Sequence, residues 1–94
     1  MSKVVIEDEE RRRFKVLLWA YAYECKADSL VSDSCFDEVC KEIDLTIDTS
    51  NPGNDKWFRE NFQPYTGSWI HKYPGLPGLE KIYHSIVTAR QLLG

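Results

Sequence analysis

Apolar residues recur at helical spacing through most of this chain, and the breaks between the runs predict four helices of unequal length. In the first, Phe14, Leu17, Leu18, Tyr21 and Cys25 return every three or four positions, and Val16, Trp19 and Ala20 widen the stripe. The pattern predicts a helix over 7–27 that ends at Asp28-Ser29, with residues 1–6 flexible. Ser32 is a good N-cap for the second helix. Asp33 follows in its first turn, where the helix dipole favours an acid, and Phe36, Val39, Cys40 and Ile43 keep the i, i+3, i+4, i+7 rule.

Thr49 to Asn54 is a cluster of turn-forming residues, after which Asp55 is placed to cap a short third helix carrying Trp57, Phe58 and Phe62. Pro64 stops that helix. From Gln63 to Pro77 the chain is punctuated by Gly and Pro yet rich in rings, which predicts an ordered loop packed on the core. Pro77 suits the first position of a last helix whose Leu79, Ile82, Tyr83, Ile86, Val87 and Leu93 face inward. The expected architecture is all-α: one domain over 1–94 with an N-terminal helical hairpin and an aromatic-rich loop before the final helix.

Size and charge narrow the function. Ninety-four residues, 43% of them hydrophobic, bury one modest core and leave little material for a deep two-lobed cleft. The net charge of −3 has the wrong sign for a protein that lives by gripping phosphate backbones. The one basic cluster, Arg11-Arg12-Arg13, follows Glu7-Asp8-Glu9-Glu10. Pairs Glu7/Arg11, Asp8/Arg12 and Glu9/Arg13 are each four apart with the acid first, so the cluster is expected to neutralise itself. No apolar run reaches the length of a membrane span, and Met1 to Ile6 meets acids at once, unlike a signal peptide. Three cysteines, an odd number, point to reduced thiols in a cytoplasm.

Neither metal binding nor catalysis has a motif. Cys35 and Cys40, five apart, point to different sides of a helix, and the closely spaced cysteine pair of a structural zinc site is missing. No nucleophile elbow and no phosphate-cradling glycine loop is present. The expectation is a protein that is not an enzyme and holds no metal and no cofactor.

The most informative stretch is Tyr23 to Asp37. At about 100° per residue, Asp33, Phe36 and Asp37 share one side of the second helix, with both acids at the edge of its apolar stripe. Two carboxylates beside an aromatic edge can accept hydrogen bonds from ribose hydroxyls or a carboxamide. The same residues also fit a structural role, with acids in a favourable first turn and Phe36 in the core.

Segment Leu18 to Ile43 resembles the N-terminal helical hairpin of bacterial NAD-dependent DNA ligases. Tyr23 precedes Asp33 by ten positions, and Asp33-Ser34-Cys35-Phe36-Asp37 stands in the place of the family's Asp-x-x-Tyr-Asp pattern, with Val31-Ser32 resembling its lead-in. Short phage proteins related to that segment share this look, together with the later Trp57-Phe58, Asn61-Phe62, Thr66-Gly67 and Trp69-Ile70 pattern. The ligase hairpin recognises the nicotinamide mononucleotide half of NAD. The resemblance therefore implies a ligand surface made of Tyr23, Asp33, Phe36 and Asp37. Phe36 stands where the family has Tyr, and Glu24 where it has His or a second Tyr. The catalytic Lys-x-Asp-Gly motif is absent, so the chain is not read as a ligase.

Two functional expectations follow. The first is a non-catalytic phage-type protein in a bacterial host cytoplasm that holds or sequesters a nicotinamide- or ADP-ribose-like nucleotide at the hairpin corner. The alternative is a protein–protein inhibitor or adaptor of counter-defence type, docking a host enzyme through its acidic surface with Tyr65, Trp69 and Tyr73 as aromatic anchors.

Overall fold

The computed structural model describes residues 2–93, and those residues form an all-helical domain. Helix α1 spans Lys3–Lys26, α2 Asp33–Glu42, α3 Pro52–Asn61 and α4 Leu76–Leu93, with a single 3-10 helix at Ser68–Lys72 inside the aromatic loop. Among the described residues no helix is long and apolar enough to cross a membrane.

Helix α1 is the spine. Its 24 residues rise about 36 Å at 1.5 Å each, and α2, the 3-10 helix and α4 all pack against it. Val16, Leu17, Leu18, Ala20, Tyr21 and Ala22 are all buried, so the middle of α1 is covered on most of its circumference. The helix begins earlier than its apolar pattern indicates. Ser2 caps it, its Oγ accepting from the Val5 amide at 3.3 Å, and Lys3 pairs with Glu7 at 3.9 Å. Residues 3–6, expected to be flexible, are thus its first turn, whereas Met1 lies outside the described residues. At the other end Ala27 takes the left-handed conformation (φ 51°) and closes the helix. Phe14 and Cys25, assigned to the inward stripe by spacing, are exposed.

The acid–base run at the start of α1 is arranged differently from three parallel i,i+4 pairs. Arg11 turns back to Asp8 at 3.4 Å and Arg12 to Glu9 at 2.9 Å, both three residues away. Only Glu9/Arg13 keeps the four-residue spacing, at 2.7 Å, and it is buried. Arg13 Nη1 also donates to Asp55 of α3 at 2.7 Å, while Nη2 donates to the carbonyls of Asp44 and Ile47. The guanidinium lies 5.3 Å from the centroid of Phe58. Glu9 in turn accepts from Arg12 and from the Asp44 amide, and Asp55 accepts from the Thr49 amide and hydroxyl. Among the described residues no buried side-chain nitrogen or oxygen lacks a partner.

That network corrects the expected role of Asp55. The cap of α3 is Asn51, whose side chain accepts from the Asn54 amide at 3.0 Å, with Pro52 at the first helical position. Asp55, one turn further on, is a core ion. The rest of α3 feeds the aromatic core. Trp57 meets Phe58, Trp69 and Tyr73 edge-on at 5.3, 5.9 and 4.9 Å. Its indole nitrogen donates to the Lys72 carbonyl, and that of Trp69 to the Gln63 carbonyl. These bonds hold the loop in place despite its Gly and Pro content. Helix α4 begins at Leu76, one residue before Pro77, and buries Leu79. Ile82 and Leu93, expected to face inward, are exposed.

Candidate functional site

The corner between α1 and α2 is open. A cleft of about 340 Å³ lies there, walled by α1, the α1–α2 turn, the first turns of α2 and the loop before the 3-10 helix. Helix α1 supplies two i,i+4 pairs on one side, Trp19 with Tyr23 and Ala20 with Glu24. The turn supplies Ser29, Leu30 and Val31, and α2 supplies Asp33, Phe36 and Asp37. Tyr65, Thr66 and Gly67 close the far wall.

Local sequence accounts for this geometry. The left-handed Ala27 stops α1 and lets the Asp28 amide donate back to the Ala22 carbonyl at 3.0 Å, which turns the chain sharply. Ser32 then starts α2 by accepting from the Cys35 amide at 3.2 Å. Because α2 starts so soon after the turn, its first-turn acid and the next-turn Phe36 face back toward α1. The turn itself is pinned from outside. Asp28 accepts from Tyr83 Oη at 2.7 Å and pairs with Arg90, both on α4. Those two donors, Arg90 first, hold the Asp28 carboxyl below its ordinary range.

All four residues assigned to a ligand surface therefore line one cleft. Tyr23 is 59% exposed, and Asp33 and Asp37 are exposed beside it. Phe36 serves both roles that its position allowed: it packs against the buried core and presents the rest of its ring to the cleft. A Cβ built on Gly67 would sit 3.5 Å from Phe36 Cζ and 3.4 Å from Ala20 Cβ. The loop backbone thus lies within contact distance of the floor of the cleft.

The three aromatics expected as partner anchors separate. Tyr65 is 88% exposed and lines the cleft. Trp69 is 4% exposed, a core residue, because the small core needs its indole between Trp57, Phe58 and Phe62. Tyr73 is half-buried against Trp57, and burial raises its phenol pKa. Sequence reasoning missed Trp19 as a cleft residue. Its i,i+4 relation to Tyr23 was the available signal, hidden because a Trp in an apolar stripe reads as core.

Electrostatically the cleft is one-sided. Glu24, Asp33 and Asp37 line it, and among the described residues no Lys or Arg does. His71 of the 3-10 helix approaches Glu24 from outside, Nε2 to Oε1 3.7 Å. Cys40, one turn beyond Phe36 and Asp37, is sealed in the core, and burial pushes its thiol up to about 12. Among the described residues no group of three or more His, Cys, Asp or Glu side chains is placed to hold a metal ion. No family model, curated protein or solved structure matches the chain.

Proposed function

We propose that this is a non-catalytic binding protein whose hairpin-corner cleft takes the ring-and-ribose end of a nicotinamide- or ADP-ribose-like nucleotide. One observation carries the reading. Tyr23, Asp33, Phe36 and Asp37, the residues that the ligase resemblance singles out, line a single open cleft of about 340 Å³ rather than dispersing over the surface or disappearing into the core. A pocket of that volume lies at the lower end of the range for small-molecule sites, roughly 300–1,000 Å³. It suits a ring and a sugar, with any phosphates trailing into solvent.

Tyr23, Phe36 and Tyr65 offer faces for stacking, and the carboxylates of Asp33 and Asp37 accept from ribose hydroxyls or a carboxamide. Such a protein, of the phage type implied by the resemblance, acts by sequestration and carries out no chemistry on what it holds. The adaptor reading is weaker, since Tyr65 alone of its three aromatic anchors is well exposed. Isothermal calorimetry with NAD, nicotinamide mononucleotide and ADP-ribose, at protein concentrations near a millimolar, tests the proposal. Heat of a one-to-one association that disappears in Tyr23→Ser supports it. No heat with any of the three overturns it.

A further inference from the structure

The charge of the cleft leads further, on the condition that the cleft binds a ring at all, as proposed above. We infer that it selects for positive charge: it takes a planar organic cation, such as an N-alkylated pyridinium, in preference to the neutral ring of the same shape.

Rings and carboxylates converge here without a counter-charge. Trp19, Tyr23, Phe36 and Tyr65 come from three separate segments, and Glu24 and Asp37 stand among them. The faces of aromatic rings carry negative potential, and they attract a cation most strongly where water is partly excluded. Carboxylates at the edge of such a set add attraction of the same sign. The acids of the cleft have no lysine or arginine beside them in its lining, so nothing there offsets their charge. Elsewhere Glu9, Asp28, Asp48 and Asp55 each have an arginine, although several exposed acids do not. Glu24 has only His71, at 3.7 Å, and Asp33 and Asp37 form no ion pair among the described residues.

The same field acts against anions. A phosphate ester held close to the ribose meets three carboxylates and no arginine or lysine, so phosphorylation next to the sugar weakens binding. For nicotinamide compounds this amounts to a preference for the oxidised, cationic ring over the reduced, neutral one, and for the nucleoside over its 5′-phosphate.

Charge can be separated from shape with two small probes, 1-methylnicotinamide, a cation, and nicotinamide, its neutral counterpart. Each is titrated into the ¹⁵N-labelled protein at low salt, and the dissociation constant is read from the amide shifts of cleft residues. The expected result is at least about a fivefold tighter dissociation constant for the cation, within the range of partly desolvated cation–ring contacts. The double variant Glu24→Gln/Asp37→Asn keeps both side-chain shapes at partly or fully exposed positions and should bring that ratio down towards one. Equal affinity for the two probes overturns charge selection but leaves ring binding standing. A cation preference that persists undiminished in the double variant also overturns it as a property of these carboxylates. Failure of both probes to shift any cleft residue overturns it, and the calorimetry with the three nucleotides decides the nucleotide reading separately.

Discussion

Arg13 of α1 and Asp55 of α3 lie forty-two residues apart in sequence and share a 2.7 Å hydrogen bond with both side chains almost wholly buried. This pair joins the N-terminal hairpin to the aromatic half of the molecule. It does so through a long side chain and not through close packing of the two helices. Replacing one partner leaves the other ion stranded in the core, which costs about 3–5 kcal/mol. Arg13→Met is therefore expected to lower the stability measured by urea unfolding by about that amount. Arg12→Met, removed from the same acid but partly exposed, should cost about 1 kcal/mol or less.

Ala27 offers a test in the opposite direction. Its left-handed backbone costs an L-residue about 1–2 kcal/mol, a penalty that glycine escapes. It is exposed and contributes no core contact. Ala27→Gly should raise the thermal midpoint, by a stabilisation of up to about 1 kcal/mol once glycine's greater unfolded-state freedom is subtracted. Calorimetric unfolding of the two proteins checks it.

The latch between the α1–α2 turn and α4 should respond to acid. Hydrogen bonds from Arg90 and then Tyr83 hold Asp28 below its ordinary value of 3.8. A carboxyl depressed in the folded state stabilises the fold above its unfolded value, and that contribution is lost as pH falls through the folded one. The latch is thus intact at neutral pH and loosens only well into the acid range, below 3.8. Following the Asp28 carboxyl by NMR should show its titration move up towards 3.8 in Arg90→Ala, with the wild-type curve lying lower.

Cys25 and Cys40 differ chiefly in burial. Cys25 is exposed, whereas Cys40 is buried with its thiol pushed up to about 12. Because the thiolate is the reacting form, iodoacetamide at pH 8 should label Cys25 and spare Cys40 until the protein is unfolded. Peptide mass spectrometry reads both sites in one experiment.

The helices could be read in the sequence because their signals are local. Ser32 before an apolar repeat and Pro64 after one mark boundaries that neighbours need not confirm. The early start of α1 at Lys3 was hidden, since its first turn has no fully buried side chain and rests on a Ser2 cap and a surface pair. Asp55 was misread for a different reason. An acid at a helix start is favoured as a cap by local rules, and only the arrival of Arg13 from α1 makes it a core ion. In the cleft, the α2 residues were legible from helical phase. Trp19 and Gly67 were not, because their part depends on how the loop folds back over α1.

The three tryptophan indoles provide the most direct test of the binding cleft. Trp19 lines it, whereas Trp57 and Trp69 donate their indole hydrogens to the Lys72 and Gln63 carbonyls away from it. Titrating oxidised NAD into ¹⁵N-labelled protein should move the Trp19 indole resonance and the Tyr23 and Gly67 amides, leaving the other two indoles in place. A spectrum unchanged at millimolar ligand, or one in which Trp57 or Trp69 moves and Trp19 does not, would contradict a ligand site at the hairpin corner.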